Sequence, residues 1–193
     1  MLSITGDKEA DRLLSEDPLA LVIGMLLDQQ VPMERAFTAP ADLRDRLGGR
    51  LDAASIAATE PDALIDVFRT RPALHRYPAS MGARVQDLCR VIAETYGNDA
   101  SAIWSSASSG DELFEAVRAL PGFGDQKTRI FVALLGKQLG VRPPGWEKAS
   151  APYSDAGSHR SVADIDSPAA LAKVREHKRK MKAEARAKAS ANG

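Results

Sequence analysis

Apolar positions recur at helical spacing along almost the whole chain. Leu19, Leu21, Val22, Ile23, Met25, Leu26 and Leu27 crowd residues 18–30 into one buried helix, with Asp17 as its N-cap and Pro18 in its first turn. A second helix is expected over 32–47, stopped by Gly48-Gly49, with short helices at 53–58 and 61–68. Residues 71–78 form an irregular link, broken by prolines. Residues 80–96 then place Met81, Val85, Leu88, Val91 and Ile92 on one face. A turn through Trp104 and a serine-rich loop lead to two more helices. Residues 111–119 carry Leu113, Phe114 and Val117; residues 125–139 carry Ile130, Phe131, Leu134 and Leu135. No period-2 run of β-branched residues asks for a strand, so the fold class is all-α.

Beyond Gly140 the pattern changes. Residues 141–166 are rich in Pro, Gly, Ser and Ala, apart from Trp146 and Tyr153, and predict loops with one short helix. Ser167-Pro168 opens a charged helix to about residue 189 with a thin apolar side (Leu171, Val174, Met181). The expected organisation is a helical domain over 1–165 and a basic helix or tail over 166–193.

Charge sharpens this division. Residues 171–193 hold eight of the 26 Lys/Arg and two of the 26 Asp/Glu, so a neutral chain splits into a mildly acidic body and a basic tail. Such a body is not a uniformly basic nucleic-acid binder. Two readings of the tail stand: a solvated helix that frays, or an arm that contacts DNA.

The chain has 193 residues, 44% of them hydrophobic, enough for the core of one domain or two small lobes. No apolar run approaches the ~20 residues of a membrane span, and no secretory signal pattern opens the sequence. Cys89 is the only cysteine, which excludes a disulfide framework or thiolate cluster and suits a reducing cytoplasm. His75, His159 and His177 are dispersed, so no zinc site is expected.

Candidate chemistry centres on Leu120-Pro121-Gly122-Phe123-Gly124, between the helices of the 111–139 element. Pro121 stops the first helix, and Gly122 and Gly124 permit backbone angles that side chains resist. Unpaired amides at the start of the second helix are then free for an anionic oxygen, with Lys127, Thr128 and Arg129 just beyond. Such a contact holds a sugar–phosphate backbone and reads no sequence. An ordinary Pro-Gly turn is the competing reading.

This pentapeptide resembles the Leu-Pro-Gly-x-Gly hairpin of the HhH-GPD superfamily of base-excision DNA glycosylases. Two further segments are similar in the same order. Leu26-Leu27-Asp28-Gln29-Gln30-Val31-Pro32 resembles the end of the family's early buried helix, and 77–92, with Gly82 and Arg84, resembles the helix preceding the hairpin element. The resemblance spans about 19–139. It implies a two-lobed helical fold, duplex DNA (damaged or abasic) as partner, and excision of an extruded base, in a nucleoid-associated protein of the cytoplasm; the sequence leaves oligomeric state open, with a monomer as the expectation. No iron–sulfur cluster is implied, because four cysteines are lacking; a monovalent cation at the hairpin is the one ion the resemblance allows.

By position, the resemblance makes Gln30, Leu120, Gly122, Phe123, Gly124, Gln126, Lys127, Thr128 and Arg129 the DNA-binding set. Gln30 would fill the gap left by the extruded base; helix-end capping and solvent contact are the alternative for Gln29 and Gln30. Tyr77 and Trp146 are the candidate base pocket, with His75 and Arg76 beside Tyr77. Tyr77 packing on the core is the alternative.

The catalytic positions depart from the family pattern. The family's essential Asp follows the second hairpin helix, but 139–148 contains no Asp, and Glu147 is the nearest carboxylate. The lysine that forms a Schiff base in bifunctional relatives falls on Gln126 by direct count and on Lys127 after a one-residue shift. A phosphate contact or a solvated amine is the other reading of Lys127. The expectations are therefore an N-glycosylase using Glu147 and Lys127, or a DNA-binding protein without catalysis. A helical interaction domain is a third reading.

Overall fold

The computed structural model describes residues 1–191, and these contain helices and no strand. In order they are α1 (Lys8–Glu16), α2 (Pro18–Leu27), α3 (Met33–Arg46), α4 (Ala53–Ala58), α5 (Pro61–Arg69), α6 (Pro78–Thr95), α7 (Ala102–Ser105), α8 (Gly110–Arg118), α9 (Asp125–Gln138), α10 (Trp146–Ser150) and α11 (Pro168–Ala191). No helix among the described residues is long and apolar enough to cross a membrane.

Local signals set most boundaries. The Asp7 carboxylate accepts from the Glu9 and Ala10 amides to cap α1, and Asp17 accepts from Leu19 and Ala20 to cap α2. Helix α6 begins at Pro78, two residues before the expected start, because a proline suits the first turn, where no amide is needed.

Helix α2 is the centre of the first half. Every residue from Leu19 to Leu27 is buried. Gly24 lets α3 approach: a Cβ there would lie 2.8 Å from the Phe37 ring. The α4–α5 link is tied to α6 by buried Gln86, whose amide donates to the Thr59 carbonyl at 2.5 Å. Helices α1–α6 pack chiefly among themselves, as do α7–α10 with the 3-10 turn at 162–164. One continuous apolar core nevertheless includes residues of both groups.

The 151–164 loop is pinned rather than loose. Lys137 Nζ, on α9, lies 2.5 Å from Asp164 Oδ1 and also donates to the Tyr153 and Asp155 carbonyls at 2.9 and 2.8 Å. Asp164, almost fully buried, accepts the Arg160 and Ser161 amides as well. A buried ion pair offsets its desolvation only with such additional hydrogen bonds.

Helix α11 divides lengthwise. Leu171 and Val174 are buried against the body, and Arg175 reaches back to form an ion pair with Glu34 of α3. From Arg179 to Lys188 every side chain is exposed.

Candidate nucleic-acid interface

The hairpin is built from inside by Leu120 and Phe123, both buried, with Phe123 edge-on to Phe131 at 5.9 Å. These two residues, expected at the interface, support the loop and present no side chain outward. Gly122 has φ +83, in the left-handed region, and a Cβ there would meet Leu26 Cδ1 at 2.3 Å. Gly124 differs from expectation. Its φ is −90 and ψ 173, open to any residue, and an added Cβ would meet nothing within 4 Å. Only Gly122 needs to be glycine for the backbone angle.

Gly124 is the N-cap of α9, and no side chain caps that helix. The Thr128 amide bonds back to the Gly124 carbonyl at 2.9 Å, so the helical ladder begins there and the amides before it form the open first turn. The first-turn carboxylate of Asp125 is held by Arg118, whose other arm donates to the Phe123 carbonyl at 3.0 Å.

Beside this turn opens a cleft of about 760 Å³ between the end of α2, the start of α9, the 152–162 loop and α11. Its lining joins Asp28, Gln30, Gln126, Lys127, Tyr153, His177 and Lys178. Lys127 turns towards α2 and donates to the Leu26 carbonyl at 2.8 Å, with its ammonium 5.9 Å from the centre of the Phe123 ring. Burial pulls its pKa down to about 8, while nearby Asp28 pulls the other way. Asp28 ends α2 with its side chain mostly buried, and Lys178 stands 3.9 Å from its carboxylate. Burial raises its pKa above the usual aspartate value, against the lowering effect of Lys178 and Lys127. The cleft therefore faces a ligand with an amine that is largely deprotonated in mild base and a carboxylate that holds its proton more tightly than usual.

A histidine fixes the loop carrying Gln30. Buried His75 accepts the Tyr77 amide on Nδ1 at 3.1 Å, so Nε2 carries the proton and donates to the Gln29 carbonyl at 2.9 Å. Burial lowers its pKa, and the ring is neutral in this role. Gln29 caps the end of α2 by donating to the Leu26 carbonyl at 2.8 Å and accepts from Arg84 at 3.3 Å. Gln30 is exposed, in the left-handed region at φ 57.

The remaining expected residues divide. Gln126 is exposed and donates to the Tyr153 hydroxyl at 3.0 Å. Arg129 bonds the Ala151 carbonyl at 3.1 Å and lies over the Phe114 ring. Thr128 is fully buried with its hydroxyl unpartnered, so it is withdrawn from any surface contact. Tyr77 is exposed outside the cleft, with Arg76 over its ring at 5.4 Å. Trp146 is buried against Gly136, where a Cβ would come within 2.3 Å of the indole. It is a packing residue, not part of the cleft wall. Glu147 is exposed on α10 and does not line the cleft either.

The cleft also draws on residues outside the expected set, among them Asp28, Tyr153, His177 and Lys178. Asp28 had a signal in the sequence. A carboxylate directly after nine apolar residues, at a helix C-terminus where the dipole disfavours negative charge, is hard to explain by packing alone. Among the described residues no group of three or more His, Cys, Asp or Glu is placed to hold a metal ion. No protein-family model matches the chain, and no curated protein matches it.

Proposed function

We propose that the protein is a base-excision DNA repair protein of the N-glycosylase type, with two helical lobes meeting at the cleft. One observation carries the reading: the first turn of α9 serves both chemistries. Its open amides suit a backbone phosphate, and its Gln126 and Lys127 line the cleft that also contains Asp28. DNA gripped at Gly122–Gly124 therefore presents a nucleotide to that cleft, and a volume of about 760 Å³ accommodates an extruded nucleotide. Gly124, unconstrained from within, fits close approach by an outside backbone.

The cleft carboxylate is Asp28 rather than Glu147. Breaking an N-glycosidic bond builds positive charge on the sugar, and a nearby carboxylate stabilises it in a partly dehydrated site. Lys127 offers an amine neutral enough at mildly basic pH to add to an opened sugar aldehyde. Gln30, at the cleft rim, is the residue that occupies the vacated stack.

The test is base release from duplexes carrying single damaged or mismatched bases. Asp28→Asn loses release by about 100-fold or more while keeping affinity for the duplex, whereas Glu147→Gln behaves as wild type. Equal turnover by Asp28→Asn rejects the assignment. Tight binding with no release from any duplex favours a lesion-binding protein without catalysis, a reading supported by the lack of an Asp in residues 139–148.

A further inference from the structure

A second groove adjoins the cleft. It has a volume of about 980 Å³ and lies between the 30–34 loop and α11. Its charged lining is Arg76, Arg175, Lys178, Arg179 and Lys182 against a single carboxylate, Glu34. This is a strongly cationic strip on a chain of zero net charge. The cations are not equally engaged. Arg175 is paired with Glu34, Lys178 stands near Asp28 and donates to Met33 Sδ, and Arg76 lies over Tyr77. Arg179 and Lys182 are exposed on the outer part of α11 and form no ion pair or hydrogen bond among the described residues.

The groove and the cleft share walls. Gln30 and Lys178 line both, so a chain leaving the cleft past Gln30 enters the groove without crossing other surface. From this continuity and charge we infer that the groove along α11 binds the phosphodiester backbone of DNA, extending the track that begins at the α9 hairpin. The inference rests on the DNA-binding reading above. It assigns the basic tail a role that an acidic body would otherwise lack: phosphate contacts supply most sequence-independent affinity.

An anionic membrane is the competing partner for a basic helix, and the composition of α11 argues against it. Its large apolar residues Leu171 and Val174 are already buried against the body, which leaves Met181 as the exposed large apolar side chain beyond them. A helix that lies in a membrane interface needs a continuous apolar face to insert.

The experiment uses the full chain and a labelled duplex containing a tetrahydrofuran abasic analogue. Binding is followed by anisotropy across a salt series for wild type, Arg179→Gln/Lys182→Gln, and Arg44→Gln/Arg90→Gln as a charge-matched control outside the groove. Circular dichroism checks that each variant is folded. Because each phosphate contact contributes about 0.9 to the slope of log affinity against log salt, the groove variant loses about two units of slope and at least ten-fold in affinity at low salt. The control keeps the wild-type slope. An unchanged slope in the groove variant, with wild-type binding intact, overturns the groove and leaves the hairpin reading standing. No wild-type affinity at low salt overturns both. Flotation with phosphatidylserine vesicles that is lost in the groove variant, without any change in DNA binding, assigns the strip to a membrane and also overturns the inference.

Discussion

The Arg118 guanidinium, in the last turn of α8, donates to the carboxylate of Asp125, the first residue of α9, across 2.5 Å. The pair closes the hairpin across its base and occupies the one carboxylate of the first turn of α9. An unpaired Asp125 would repel the phosphate that the adjacent amides are suited to hold.

Removing either partner should therefore act in opposite directions on binding. Arg118→Ala frees the carboxylate and weakens duplex affinity about ten-fold, equivalent to about 1.4 kcal/mol. Asp125→Asn removes the negative charge and tightens binding. Both side chains are well exposed, so thermal unfolding shifts by less than about 1 kcal/mol in each variant. Parallel melting and anisotropy measurements check this; weaker binding in both variants would mean that the pair acts only as a structural clasp.

Gly122 and Gly124 separate fold from function. Gly122→Ala forces a side chain into the left-handed region and against Leu26, and should cost about 2–3 kcal/mol in urea unfolding. Gly124→Ala meets no atom of the protein and has an ordinary φ, so its stability changes by less than about 1 kcal/mol. The same substitution crowds the approach of a phosphate and lowers duplex affinity. Unimpaired binding by Gly124→Ala would remove the argument from close approach.

The hairpin was legible because its signals are local: Pro121 ends a helix, and Gly122 supplies a positive φ within five residues. Asp17-Pro18 marked the start of α2 for the same reason. The cleft was not legible, because Asp28, Lys127, Tyr153 and His177 meet only through tertiary packing. Trp146 shows the limit in the other direction. An aromatic in a Pro-Gly loop suggests an exposed stacking surface, but Gly136, ten residues earlier on α9, leaves a space that the indole fills. Lys127 stands beside the hairpin in the sequence, but its turn towards the Leu26 carbonyl depends on α2 being there.

That complementarity predicts a stability effect far from the hairpin. Gly136→Ala gains about 1 kcal/mol in helix propensity but drives a methyl group into the Trp146 ring. Net destabilisation of about 1–3 kcal/mol is expected in urea unfolding, with a red-shifted tryptophan emission as the indole moves towards solvent. Wild-type stability and emission would mean that the ring has room to slide.

Asp28 should titrate above the ordinary aspartate value, because its burial outweighs the nearby ammonium groups. Lys178→Gln removes the first of the opposing charges and raises the Asp28 pKa further. The ¹³C carboxyl resonance of Asp28, followed from pH 3 to 8, reports both values directly. A lower pKa in Lys178→Gln would show that this lysine does not act on the carboxylate.

Lys127 gives the pH dependence with the opposite sign. Its folded pKa of about 8 lies below the usual lysine value of 10.5, so below pH 8 the ammonium is charged in both states and burial opposes folding in full. Between about 8 and 10.5 the folded protein gives up the proton first. The unfolded chain then binds more protons, and stability rises with pH until the penalty is gone. Lys127→Met removes the charge at every pH, while Gln29 still donates to the Leu26 carbonyl that the lysine leaves. The variant should therefore be more stable than wild type at pH 7, by about 2 kcal/mol or less because the amine is partly open to the cleft. By pH 10 most of that difference should have closed. Urea unfolding of both proteins at pH 7, 8.5 and 10 makes the comparison, and a gap that stays constant across the series would place the ammonium in water rather than against α2.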